Sequence, residues 1–297
     1  MTLKDNKNVL VTGGAGFIGG YTVKLLQQEG FNIIIADKKE KPDNIVFPYY
    51  KIDVSTPDTE KIFKSHEIDY VIHLAAHPSV ADSIRDPLND CKDNYMTTVN
   101  VCTLAVKYGV KKLIFSSTAA VYAHPEYLPV DENSNTGYLS PYAINKKASE
   151  DFIKFSGVNY LILRYSNVYG KGQTFSPETG VITKFVHAMT NNNDVIIYGD
   201  GSQSRDFIHV EDVAKVNTIA LLSDVKNEII NVSSNKKLSI NKLFSMLKEN
   251  YNYFKEPIYY PARQGDIKDS VLSNEKMLKL LKYAPKIPIE EGIKTLS

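Results

Sequence analysis

Short apolar runs and longer amphipathic stretches alternate along the first 165 residues of this 297-residue chain. Val9-Leu10-Val11, Ile33-Ile34-Ile35-Ala36, Val71-Ile72-His73-Leu74, Leu113-Ile114-Phe115-Ser116 and Tyr160-Leu161-Ile162-Leu163 are nearly free of polar positions. Runs of that kind predict strands covered on both faces. The stretches 19–29, 58–65, 94–108 and 140–155 have helical length and lie between them. Strand and helix in alternation predict βαβ units, and right-handed crossovers wind these into a doubly wound parallel sheet, an α/β fold.

Beyond residue 165 the alternation fades. Gly, Pro, Ser and Asn gather between 167 and 180, which predicts a long loop and a wall of a site. Strands are expected at 195–198, 207–210, 228–232 and 258–260, and helices at 181–190, 211–222, 240–250 and 274–282. The chain therefore divides into a nucleotide-binding part over 1–165, with returning segments near 206–233, and a smaller mixed α/β lobe that occupies most of 166–297.

Composition narrows the classes of function. Lys and Arg number 35 against 34 Asp and Glu, a net charge of +1, so the basic excess of a general nucleic-acid or membrane-surface binder is missing. Apolar residues at 43% and charged residues at 23% describe an ordinary globular chain. The two cysteines, Cys91 and Cys102, form no CxxC, so neither a disulfide framework nor a metal site is expected and the setting reads as reducing and cytoplasmic.

Three constellations carry chemistry. Val9-Leu10-Val11-Thr12-Gly13-Gly14-Ala15-Gly16-Phe17-Ile18-Gly19 ends a strand in a glycine-rich turn and opens a helix. Such a turn lets the backbone approach a pyrophosphate, which then meets a helix amino terminus; this is the Rossmann-type arrangement. The acidic residue expected about 20 positions later is Asp37, which suits the ribose hydroxyls of NAD and repels a 2′-phosphate, with Lys38 and Lys39 beside it weakening that preference. In Tyr142-Ala143-Ile144-Asn145-Lys146 the tyrosine and lysine share one helix face. A phenol with a pKa of about 10 becomes a usable base when an ammonium and a positive nicotinamide ring stand nearby. Ser116-Ser117-Thr118 places three hydroxyls at the carboxyl end of a strand, where open α/β sheets bind ligands.

Together with Asp53-Val54, His73-Leu74-Ala75-Ala76, Leu163-Arg164-Tyr165-Ser166-Asn167-Val168-Tyr169-Gly170, the run Tyr198 to Val213 and Arg263-Gln264-Gly265-Asp266, these motifs resemble the extended short-chain dehydrogenase/reductase superfamily, in its nucleotide-sugar epimerase and dehydratase branch. The resemblance implies NAD as cofactor, held by Gly13, Gly16, Phe17, Ile18, Gly19, Asp37, Lys38, Asp53, Val54, Leu74, Ala75, Ala76, Asn94, Tyr142 and Lys146. It implies Thr118, Tyr142 and Lys146 as catalytic, and a nucleotide-sugar held by Thr118, Asn167, Arg205, Arg263 and Asp266. It also implies a homodimer formed through 94–108 and 140–155.

Two departures limit the reaction. Dehydratases of the branch carry an Asp-Glu pair after the hydroxyl residue, and decarboxylating relatives keep a Glu; here Ala119 and Ala120 stand there. The expected activity is therefore 4-epimerisation of a UDP-linked hexose, through transient oxidation at C4. The alternative is reduction of a nucleotide-linked 4-keto-6-deoxy sugar by NADH or NADPH. A non-catalytic NAD-binding regulator would have no need of Thr118, Tyr142 and Lys146. His77 and His124 are candidates to face the sugar, against the plainer expectation of exposed loop histidines without partners.

Overall fold

A computed structural model describes residues 7–123, 125–262 and 267–296. In the first half, strands Asn8–Thr12 (β1), Asn32–Asp37 (β2), Tyr49–Lys51 (β3), Tyr70–His73 (β4), Lys112–Thr118 (β5) and Tyr160–Tyr165 (β6) alternate with helices. These are Phe17–Gln28 (α1), Glu60–Ser65 (α2), Val80–Arg85 (α3), Pro87–Asp90 (α4), Thr97–Lys107 (α5) and Pro141–Ser156 (α6). In the second half come Asn167–Tyr169 (β7), Val181–Thr190 (α7), Ile196–Tyr198 (β8), Ser204–Arg205 (β9), Phe207–His209 (β10), Val210–Leu222 (α8) and Glu228–Val232 (β11). Leu238–Ser239 (β12), Ile240–Asn250 (α9), Ile258–Tyr260 (β13), Asp269–Ser270 (β14) and Glu275–Leu281 (α10) follow.

The main sheet has seven parallel strands in the order β11-β6-β5-β4-β1-β2-β3. Successive side chains on a strand point to opposite faces. Val9, Val11, Ile33 and Ile35 therefore join one apolar layer with Leu26 and Val213, while Leu10 and Ile34 join the other with Val101, Leu104 and Ile153. Two buried faces explain why these strands read as unbroken apolar runs.

Helix ends are written in the local chemistry. The Ser140 hydroxyl accepts from the Ala143 N–H at 3.2 Å, Pro141 occupies the first turn of α6, and Gly157 stops it at φ +86°. The helix expected at 94–108 begins earlier. Asp86 accepts from the Asn89 N–H at 3.1 Å, Pro87 follows, and α4 runs into a π-helical turn, Cys91–Met96, before α5. That wide turn breaks the 3.6-residue period, which is why the pattern registered only the downstream part.

The segment expected as loop over 167–180 starts as a strand. Asn167, Val168 and Tyr169 pair with Phe207, Ile208 and His209 in parallel register, and the irregular stretch begins only at Gly170. The chain then returns to the large sheet: α8 lies against α1, and β11 extends the edge beside β6, pairing Glu228 with Leu161 through Val232 with Tyr165. A separate apolar cluster around Phe185, Leu243, Phe244 and Leu247 forms the smaller lobe. Among the described residues no helix is long and apolar enough to cross a membrane.

Candidate functional site

The glycine-rich turn is fixed by close approach. Gly13 sits at φ +71°, and a Cβ there would fall 2.7 Å from the Ala75 nitrogen and 2.9 Å from the Leu74 carbonyl carbon. A Cβ on Gly19 would come within 2.1 Å of the Gly13 oxygen. The turn after β1, the loop after β4 and the first turn of α1 are thus packed backbone to backbone. Gly16 caps α1 without a side-chain hydrogen bond and no acidic residue enters the first turn, which suits an anion at that terminus. Asp37 accepts from the Ala15 N–H on Oδ2 and from the Lys39 N–H on Oδ1, both at 3.0 Å. Its orientation is set by backbone, and its remaining lone pairs can take hydroxyl donors.

Lys38 is drawn away from that corner, to Asp93 at 2.5 Å and Asp53 at 3.4 Å, with Lys92 also 3.0 Å from Asp53. Burial works against ionising Asp53, but the Ser55 hydroxyl and amide with Lys92 and Lys38 outweigh it and hold the carboxyl at about 2. The Val54 side chain is buried in the second apolar layer, so only its backbone is left to meet a ligand. Ala75 donates its N–H to the Thr12 hydroxyl at 3.3 Å, and Leu74 packs against the first apolar layer. The cradle fits a dinucleotide.

At the carboxyl end of β5, Thr118 Oγ1 accepts from the Ala120 N–H at 3.1 Å and caps a short turn, Ala119–Tyr122. The two alanines lie on that turn and carry no acid or base. Tyr142 and Lys146 project from α6, both buried. Burial pushes the Tyr142 phenol up to about 12, while a hydrogen bond with Thr118 pulls it the other way and the charge of Asp90 adds to the rise. Lys146 Nζ donates to the Ser116 carbonyl at 2.9 Å and stands 4.8 Å from the centre of the Phe115 ring. Burial lowers the ammonium to about 8, opposed by the charges of Asp90 and Glu150. Burial thus draws both groups toward their neutral forms, so phenolate at Tyr142 requires additional positive charge delivered to the site.

Beneath this pair lies a layer to which the sequence assigned no role. Arg164 and Glu150, both fully buried, meet through two bonds of 2.8 and 2.6 Å, and Ser117 donates to the same carboxylate at 2.5 Å. The guanidinium also lies 4.8 Å over the Tyr122 ring, whose hydroxyl donates to Asn231 at 2.7 Å. Glu150 is one helical turn beyond Lys146, so this ion pair, with Ser117, anchors α6 to β5 and β6. The i,i+4 spacing from Lys146 to Glu150 was a usable signal; the partner on β6 was not visible in sequence.

Asn94, expected near the nicotinamide, uses its carboxamide on protein groups. Its oxygen accepts from the His77 N–H at 3.1 Å, and its nitrogen donates to the His77 carbonyl at 3.1 Å and to Asp90 at 2.7 Å. His77 is not the partnerless loop histidine expected, since its Nε2 lies 2.8 Å from Asp82. His124, Arg263 and Asp266 lie outside the described residues.

Asn167 opens β7 and Arg205 closes β9, one on each side of the link that Asp206 provides. Asn167 donates to the Asp206 carbonyl from both its backbone, at 2.9 Å, and its side chain, at 3.1 Å. Arg205 Nη1 donates to the Ser204 carbonyl at 2.8 Å. The neighbouring carboxylate, a candidate ion-pair partner for Arg205, is taken up elsewhere: Asp206 accepts from Ser234 N–H and hydroxyl at 3.0 and 2.7 Å, from Asn235 at 3.1 Å and from Leu272 at 3.3 Å. No group of three or more His, Cys, Asp or Glu that could hold a metal ion occurs among the described residues.

Sheet order, glycine cradle and the Thr118, Tyr142 and Lys146 cluster define a dinucleotide-dependent enzyme of the short-chain dehydrogenase/reductase type. The chain belongs to the NAD dependent epimerase/dehydratase family, whose model matches residues 9–233. A putative UDP-glucose 4-epimerase of Methanocaldococcus jannaschii is 39% identical, over 96% of this chain and 96% of the relative. The crystal structure of UDP-glucose 4-epimerase from Thermotoga maritima with UDP-glucose superposes with a TM-score of 0.93 at 38% identity, over 97% of this chain and 96% of that one. UDP-N-acetylglucosamine 4-epimerase from Methanobrevibacter ruminantium, in complex with UDP-N-acetylmuramic acid, gives 0.92 at 36% identity, over 99% and 97%.

Proposed function

We propose that this chain is an NAD-dependent 4-epimerase of a UDP-linked hexose, glucose/galactose or the N-acetyl pair. The observation that carries this is the hydrogen bond of Thr118 with Tyr142 at the carboxyl ends of the parallel strands, the same end of the sheet as the dinucleotide cradle, followed by two alanines where dehydration needs a carboxylate pair. The relatives' 4-epimerase activities support the same choice.

Bound NAD supplies the reversible redox step at C4. Tyr142 takes the C4 hydroxyl proton on its phenolic oxygen and returns it to the oxygen of the inverted centre. Thr118 donates to or accepts from that oxygen and fixes its direction. Lys146 binds the nicotinamide ribose and holds positive charge beside the phenol. Asn167, Arg205 and Arg263 retain the nucleotide diphosphate, and Asp266 meets the nucleoside ribose, while the 4-keto sugar turns; guanidinium forks suit the diphosphate. Residues 1–165 with the return near 206–233 then form the NAD-binding part, and the rest of 166–297 the substrate lobe. We place the enzyme in the cytoplasm as a homodimer through the faces of α5 and α6, where Val106, Ile144 and Phe155 are exposed.

Denaturing the purified protein and identifying the released nucleotide, with assays of UDP-galactose and UDP-N-acetylgalactosamine, tests the reading. Bound NAD with interconversion of either pair is the expected result. Turnover only of a 4-keto sugar, with stoichiometric consumption of reduced cofactor, would replace it with the reductase. Tyr142→Phe should abolish turnover and keep NAD bound; retained turnover would remove Tyr142 as the base.

A further inference from the structure

Asp90 closes α4, and only 2% of its surface is exposed. Each carboxylate oxygen serves a different element. Oδ1 accepts from Asn94 Nδ2 at 2.7 Å, and that same carboxamide clasps both backbone groups of His77. Oδ2 accepts from Asn145 Nδ2 at 2.7 Å. Asn145 lies on α6 between Tyr142 and Lys146, adjacent to the latter. One carboxylate thereby fastens the π-helical turn, the loop after β4 and the catalytic helix.

Its charge has no match in those contacts, because both partners are neutral amides. Glu150, the other carboxylate that Lys146 senses, is compensated by its two bonds to Arg164. The remaining charged groups around Asp90 are largely spoken for. From β4 comes His73, kept neutral by burial and held between the Thr12 and Thr98 hydroxyls. From the loop and α3 come His77 and Arg85, both on Asp82, which with Asp86 and Asn89 line the cavity on the far side of Asp90. On the outer side of α6, Lys147 pairs with Asp151; on the π-helical turn, Lys92 and Asp93 pair with Asp53 and Lys38.

We propose that Asp90 is a positioning residue of the catalytic pair, bracing α6 through Asn145 and supplying the uncompensated negative charge that Lys146 and Tyr142 meet. This rests on the assignment of Tyr142 and Lys146 given above. The charge favours ammonium at Lys146 and disfavours phenolate at Tyr142, so it holds the resting site with the phenol protonated and the lysine charged.

Asp90→Asn keeps the size and removes the charge; its oxygen stays with Asn94, and its new NH2 is met by Asn145 turning its carboxamide oxygen inward. Both limbs of the pH profile of kcat/KM for UDP-galactose should then move to lower pH, by about one unit. The Lys146 resonance in protein labelled with 13C at lysine, identified by its loss in Lys146→Met, should titrate lower by the same amount. Asn145→Ala removes the brace and keeps the charge: kcat should fall about tenfold with KM and both limbs in place. Limbs and resonance that stay put in Asp90→Asn overturn the charge role, as do limbs that move equally in Asn145→Ala. An unchanged kcat in Asn145→Ala overturns the brace, and that arm stands even if Asp90→Asn does not fold. Tyr142→Phe run alongside separates the two readings, since turnover surviving there removes the base itself and not Asp90.

Discussion

Tyr142 is a phenol that burial keeps protonated, and its hydrogen bond with Thr118 is the local influence pulling toward ionisation. Losing one hydrogen bond to an ionising group costs about 1.5–3 kcal/mol, so Thr118→Val should lower kcat by roughly ten- to a hundredfold with cofactor retained, measured in steady-state assays and by released NAD. The buried pair below behaves differently. Arg164→Met leaves the buried Glu150 carboxyl without its partner, which should cost about 3–5 kcal/mol of stability in denaturant unfolding. The double variant Arg164→Met, Glu150→Met should recover much of that loss. At this scale the sequence offered Thr118, Tyr142 and Lys146 as candidates because each lies in a short motif that can be read locally. Asp90, Glu150 and Arg164 stayed silent because each acquires its partner only when strands and helices distant in sequence are brought together.

Among the elements, the turn from β1 into α1 has the least room. Alanine is normally the better helix former by about 1 kcal/mol, yet a methyl on Gly19 would press into the Gly13 carbonyl at 2.1 Å. Gly19→Ala should therefore lower the thermal midpoint and abolish NAD retention, read by nucleotide release from the purified variant. A neutral outcome would mean that α1 can shift without disturbing the cradle. The longer strands and helices were legible from apolar periodicity, since two buried faces and one buried stripe leave different patterns. The two- and three-residue strands β3, β9, β12 and β14 and the short helices α3 and α4 are too brief to leave a period. The exceptions had physical reasons. The π-helical turn hid the start of the helix at Pro87, and Asn167–Tyr169 lies in a stretch whose Gly, Ser and Pro content outweighs three residues of pairing.

For the molecule as a whole, acid sensitivity should centre on His73. Burial brings its ring down to about 3, far below the 6.5 of a free histidine. Between those values the unfolded chain binds a proton that the native state refuses, so stability is lost as pH falls below 6.5. The thermal midpoint should drop between pH 7 and 5, and His73→Asn, which offers one donor and one acceptor to Thr12 and Thr98, should flatten that slope. An equal slope in both proteins would move the effect to another group.

The route of the chain between lobes bears on how such an enzyme can be recombined. Helix α8 rests on α1 and strand β11 completes the sheet edge beside β6, so the segment most distant from the glycine turn in the family match is built into the same sheet. A chimera joined at residue 166 would combine one parent's β6 with the other's β11 and one parent's α1 with the other's α8, two interfaces that must fit at once. Joined after 233, it keeps both of those but divides others, since α9 packs on α7, β13 pairs with β8, and α10 lies against β11 and α8. Neither junction is a clean seam, so specificity grafting between relatives has to move interlocking segments from both sides of residue 233 together.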